Sequence, residues 1–89
     1  MKELMKAFMV ASRDEVVLKA FLEDILTAEE LEVLPRRWDI VQRLAKGETQ
    51  RDIAKALGIG IATVTRGSRE LKDKKGGFAQ VLAKMNTLK

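Results

Sequence analysis

The sequence predicts an all-helical fold, and three features of the 89-residue chain carry that expectation. Apolar residues recur at spacings of three and four, the period of one helix face, while strand-like alternation is nearly absent. A single proline is present to interrupt helices. Three segments match the pattern that opens a helix, in which a hydroxyl caps a free backbone N–H and an acid three residues on reaches back: "SRDE" from Ser12, "TAEE" from Thr27 and "TQRD" from Thr49, the last with Asp in place of Glu. Gly47, Gly58 and the Gly76–Gly77 pair supply stops.

Taken in order, the first helix is expected over 2–11 and the second over 13–25, opened by Ser12. They carry Leu4, Met5, Phe8 and Met9, then Val16, Val17, Leu18, Phe21, Leu22, Ile25 and Leu26. That is more apolar surface, on more faces, than a helical pair in a small monomer can cover, so much of it is expected to be buried in a partner subunit. The third helix is expected over 28–46. Pro35 lies inside it, lacking a backbone donor and clashing with the preceding turn, so a kink is expected, or a division into 28–34 and 36–46. Trp38 falls in line with Leu31, Leu34, Val41 and Ala45 and reads as core or interface packing.

The fourth and fifth helices, 50–57 and 61–72, form a helix-turn-helix. In "QRDIAKALGIGIATVTRGSRELK", Ile53, Leu57, Ile59 and Val64 can face inward, Ala54 is small where two helices cross, and Gly58 suits the left-handed turn. The second helix of such a unit enters the major groove of DNA, with its N-terminal residues on the base edges. Here these are Gly60, Ile61, Ala62 and Thr65, a short and apolar surface suited to thymine methyls or water-mediated contacts. Arg51 and Lys72 are the long cations placed to reach the duplex, with Gln50 near the phosphates. A sixth helix is expected over 78–87. The organisation is thus one helical domain over 1–89, with core or dimerisation helices in 1–47, the helix-turn-helix in 48–72 and a C-terminal helix in 73–89.

Composition narrows the function. With neither cysteine nor histidine, the chain has no disulfide or thiolate metal site and lacks the commonest metal ligand and the usual general base. No nucleophile and base can be paired, so an enzyme is not expected. No apolar run reaches the roughly 18 residues of a membrane span, and "MKELMKAFMVASRDE" turns charged too soon for a secretory signal, so a cytoplasmic protein is expected. Residues 1–47 hold eight Lys and Arg against nine Asp and Glu, whereas 48–89 hold nine against four. The basicity belongs to the half that carries the helix-turn-helix, as phosphate binding would require.

Gly67 poses a separate question, since glycine inside a helix costs on the order of 1 kcal/mol against alanine. Spacing alone leaves two readings of "TRGS": Arg66 is a phosphate contact beside a mere weak point, or a ligand approaches the backbone here.

These residues resemble the Trp repressor family. "LTAEELEVL" and "RWDIVQRLAKGETQRDIAKALGIGIATVTRGSRELK" carry the resemblance, over about Leu26 to Lys72, and "GIATVTRGS" is its most specific segment. It implies an intertwined homodimer of six-helix chains that binds L-tryptophan as corepressor and then palindromic operator DNA, with no cofactor beyond that ligand. Arg37 and Arg66 match the two arginines that sandwich the indole ring, the second also binding the ligand carboxylate. Thr63, Gly67 and Thr27 match further pocket positions, and backbone carbonyls around Asp24 to Leu26 of the partner subunit would hold the ammonium. On this reading Gly67 leaves room for the ring, and arginine suits its neighbour because a guanidinium both stacks and forks onto a carboxylate.

The chain departs from the family pattern in four places. It starts almost directly at its first helix, so no polar arm is expected to reach DNA. One residue is missing in the "GETQ" turn. Pro35 interrupts the third helix, and a serine that assists the ammonium is here Glu70. The rival functions are a ligand-independent DNA-binding relative, a sensor of another small molecule, and a helical protein-interaction module.

Overall fold

A computed structural model describes residues 1–87. Six helices follow in order: α1 (Lys2–Ala11), α2 (Glu15–Ile25), α3 (Ala28–Ala45), α4 (Gln50–Leu57), α5 (Ile61–Lys72) and α6 (Gly77–Thr87). No strand is present among the described residues. The chain divides into two compact units, Met1–Pro35 and the remainder from Arg36.

In the first unit α1 packs on α2, and the rings of Phe8 and Phe21 meet edge to face at 5.3 Å. The link between the two helices differs from expectation. Ser12 does not open α2; it closes α1, its hydroxyl donating to the Met9 carbonyl at 2.9 Å. Asp14 is the cap, held extended at φ −141° and ψ 119°, and its carboxylate accepts from the Val16 N–H at 2.9 Å. Two capping side chains two residues apart both fit the opening pattern, and the backbone turns at the second. At α3 the pattern is realised in both directions: Thr27 accepts from the Glu30 N–H at 3.2 Å and Glu30 accepts from the Thr27 N–H at 2.8 Å. The bond from the Thr27 backbone, then that from its side chain, holds the Glu30 carboxyl below the usual carboxylate range.

α3 is continuous through Pro35, so the division into two helices does not occur. Proline removes one backbone bond at an exposed position, and the turns on either side keep theirs. At its end the chain leaves α3 through Gly47, at φ +92°, where a side chain would be strained. Arg43 holds this exit by ion pairs to Glu48 at 3.1 Å and to Asp39 at 3.2 Å. The same two carboxylates, Glu48 first, raise its pKa further.

The core of the second unit is the cluster of Ile40, Ile53 and Val64, one residue each from α3, α4 and α5, with Leu44, Ala54, Leu57 and Ile59 packed against it. Thr49 caps α4 by accepting from the Asp52 N–H at 3.1 Å. Asp52 makes no reciprocal bond among the described residues, being a methylene shorter than the Glu of the full pattern. α5 ends at Asp73, not at the glycine pair. Asp73 then turns the chain, its carboxylate accepting from the Lys75 N–H and its carbonyl from the Gly76 N–H.

Candidate functional site

Gly58 closes α4 in the left-handed conformation, φ 64° and ψ 38°, and the Ile59 N–H returns to the Ala54 carbonyl at 3.0 Å. With Ile53 and Val64 fully buried behind it, this turn fixes α5 against α4 as a helix-turn-helix. Ile61, Ala62 and Thr65 stay exposed on the first turns of α5, and Ile61 keeps 53 % of its surface. The Thr65 hydroxyl lies 2.7 Å from Gln50 Oε1 and 3.0 Å from the Ile61 carbonyl, so two residues assigned to DNA from sequence are joined to each other across the motif. Arg51 and Lys72 are exposed and carry no ion pair among the described residues.

Behind α5 lies a cavity of about 380 Å³, within the range of small-molecule sites. Arg37, Ile40 and Val41 of α3 line it, with Ala62, Thr63, Arg66, Gly67 and Glu70 of α5 and Phe78 of α6. Five of the seven residues assigned to a ligand from sequence thus come together: Arg37, Thr63, Arg66, Gly67 and Glu70. Leu26 is half-buried and Thr27 spends its hydroxyl on the α3 cap; neither lines this cavity. Ala62, assigned to DNA, forms part of the cavity wall. Sequence reasoning missed Ile40, Val41 and Phe78. Helical spacing could have found the first two, three and four residues after Arg37. Phe78 sits in a separate helix and gave no such signal; it is held by Trp38, the ring centroids 6.2 Å apart.

Gly67 has a partner that the sequence did not show. A Cβ built there would stand 3.1 Å from Ile40 Cγ2 and 3.7 Å from Leu44 Cδ1, so the glycine lets α5 approach α3 closely. Ile40 is itself 2 % exposed and part of the core, and cannot readily give way. The missing side chain therefore serves the helix crossing as well as the cavity wall.

The cavity has a mixed lining: an apolar floor of Ile40, Val41 and Phe78, and a rim with two guanidiniums and one carboxylate. Arg66 and Glu70, one turn apart on α5, form no ion pair or hydrogen bond among the described residues. Both charges are left for another partner. The described residues contain no group of acids that could hold a metal, and no helix long and apolar enough to cross a membrane.

Comparison with known proteins agrees with this arrangement. A Trp operon repressor homolog of Vibrio cholerae is 49 % identical over 63 residues, covering 65 % of this chain and 61 % of its own length. One of Photobacterium profundum is 37 % identical over 84 residues, 93 % of this chain and 78 % of the relative. One of Vibrio parahaemolyticus is 42 % identical over 73 residues, 81 % and 67 %. The chain thus spans three-fifths to about four-fifths of these relatives. The sequence profile of the Trp repressor protein family matches residues 1–86, and this chain belongs to that family of transcriptional regulators, which are not enzymes.

Proposed function

We propose that this chain is a tryptophan-dependent repressor: a homodimer that binds L-tryptophan in the cavity behind α5 and then a palindromic operator through its two helix-turn-helix motifs, in the cytoplasm. The observation that carries this reading is the meeting of Arg37, Thr63, Arg66, Gly67 and Glu70 in one cavity on the back of the recognition helix. A flat ring on the apolar floor can stack with guanidinium, and Arg66 can fork onto the ligand carboxylate. Filling this cavity would fix the attitude of α5. In a dimer that sets two recognition helices at the spacing of successive major grooves, about 34 Å. Calorimetric titration with L-tryptophan tests the reading. Saturable heat at one site per chain is expected; no heat, with operator binding retained, would make the protein a ligand-independent relative.

The dimer is supported by the apolar surface that a single chain leaves open. Met5, Met9 and Val10 of α1 and Val16, Val17 and Ile25 of α2 keep between 47 % and 77 % of their surface, and α2 has no buried residue at all. Patches of this kind on a small protein mark an interface. The thermal midpoint is therefore expected to rise with protein concentration, because folding and association are one equilibrium in such a dimer. A midpoint independent of concentration, with a monomer mass by sedimentation, would count against it.

For DNA, affinity with ligand present should fall steeply with salt as phosphate contacts release counterions. Arg51→Ala should weaken the operator more than random DNA, by about tenfold for a base contact worth 1–3 kcal/mol. Equal losses on both sequences would make Arg51 a phosphate contact only.

A further inference from the structure

The cavity rim carries more charge than an apolar ring with a carboxylate needs. Two cations, Arg37 and Arg66, stand with one anion, Glu70, and Glu70 is the carboxylate of that wall. An acid four residues after an arginine on a helix would ordinarily pair with it. Here that pair does not form, and Glu70 has no hydrogen-bond or ionic partner among the described residues. A guanidinium and a carboxylate left open on one wall above an apolar floor match a ligand that bears an anion, a cation and a flat apolar body. An α-amino acid with an aromatic side chain has all three.

We propose that Glu70 is a specificity-determining residue that receives the ligand ammonium, so that this cavity requires the amine and rejects aromatic acids that lack it. The inference rests on the tryptophan reading above and adds to it a chemical rule for which indoles bind. A carboxylate supplies a full counter-charge where a hydroxyl would supply only a neutral acceptor, and charge-assisted bonds are about twice as strong as neutral ones. It also acts by exclusion. A ligand with a carboxylate and no amine would leave Glu70 facing apolar or anionic atoms with no counter-charge, and that penalty falls on the wrong ligand alone. Because Glu70 is exposed and holds nothing else in the fold, its replacement changes the charge of the cavity without removing a packing contact.

The test is calorimetric titration of the wild-type protein and of Glu70→Gln with L-tryptophan and with indole-3-propionate, which keeps the ring and the carboxylate and lacks the amine. Wild type is expected to prefer tryptophan by at least about tenfold, and Glu70→Gln, close in shape but uncharged, to lose most of that preference. Equal affinities of the wild-type protein for the two ligands would overturn the inference without any variant. So would an unchanged ratio in a folded Glu70→Gln protein, while tryptophan binding itself survived. Failure of tryptophan to bind wild type at all is the distinct result that removes the reading beneath it, and the inference with it. Glu70→Ser repeats the comparison with a smaller neutral side chain, and the same loss of preference is expected.

Discussion

Arg66→Ala is expected to weaken L-tryptophan binding by at least about a hundredfold while leaving the protein folded. Arg66 lines the cavity, is exposed and holds no ion pair among the described residues, so the fold loses nothing when its head group goes. Substitutions at such positions usually change stability by within about 0.5 kcal/mol. The ligand loses two contacts together in the proposed complex, the stack on its ring and the fork on its carboxylate. Removing one member of a desolvated, hydrogen-bonded charge pair costs about 2–5 kcal/mol, or roughly 30-fold to several thousandfold in affinity. Arg66→Lys should restore little, because an ammonium neither forks nor stacks as a guanidinium does. Calorimetry gives the affinity and a circular dichroism melt gives the fold. Binding within tenfold of wild type, at an unchanged melt, would remove Arg66 from the site.

Ile53→Ala should have the largest effect on stability, about 2–5 kcal/mol. Ile53 has no exposed surface and joins Ile40 of α3 to Val64 of α5, so its truncation opens a void where three helices meet. A small domain has little to spare, with total stabilities of about 5–15 kcal/mol. α4, at eight residues, is far too short to persist without that packing. Ile53→Val removes one methylene and should cost only about 0.5–1.5 kcal/mol. Urea titration of both variants checks the ordering. Equal losses from the two would mean that the void is refilled by collapse around it, and that the side chain is not held as tightly as its burial implies.

Much of the helix-turn-helix was legible in the sequence because its determinants are local. Gly58 announces a left-handed residue, the aliphatic residues around it keep one period, and Ala54 marks the close crossing; each stands where the spacing put it. The α2 start was not legible to the residue. Ser12 and Asp14 are both competent caps, and only the backbone path decides which one is extended. The end of α5 was misplaced for a similar reason: Asp73 turns the chain three residues before the glycines that looked like the stop. On the ligand side, the family resemblance supplied Arg37, Thr63, Arg66, Gly67 and Glu70, while helix periodicity on its own held only the relation between Arg66 and Glu70. The contact of Gly67 with Ile40 was beyond either, because the two are far apart in the chain and no local pattern links them.

That contact also constrains how the ligand preference of such a protein can change over generations. A mutation at position 67 enters the helix crossing and the cavity wall together, so its effect on ligand choice arrives bundled with a shift of α5 against α3. Alanine there gains helix propensity and meets Ile40 at once. New ligand preferences are far more accessible through Thr63 and Glu70, whose exposed side chains line the same cavity outside the core cluster. Those two positions can drift one substitution at a time, and the departure at Glu70 is where this chain has already done so.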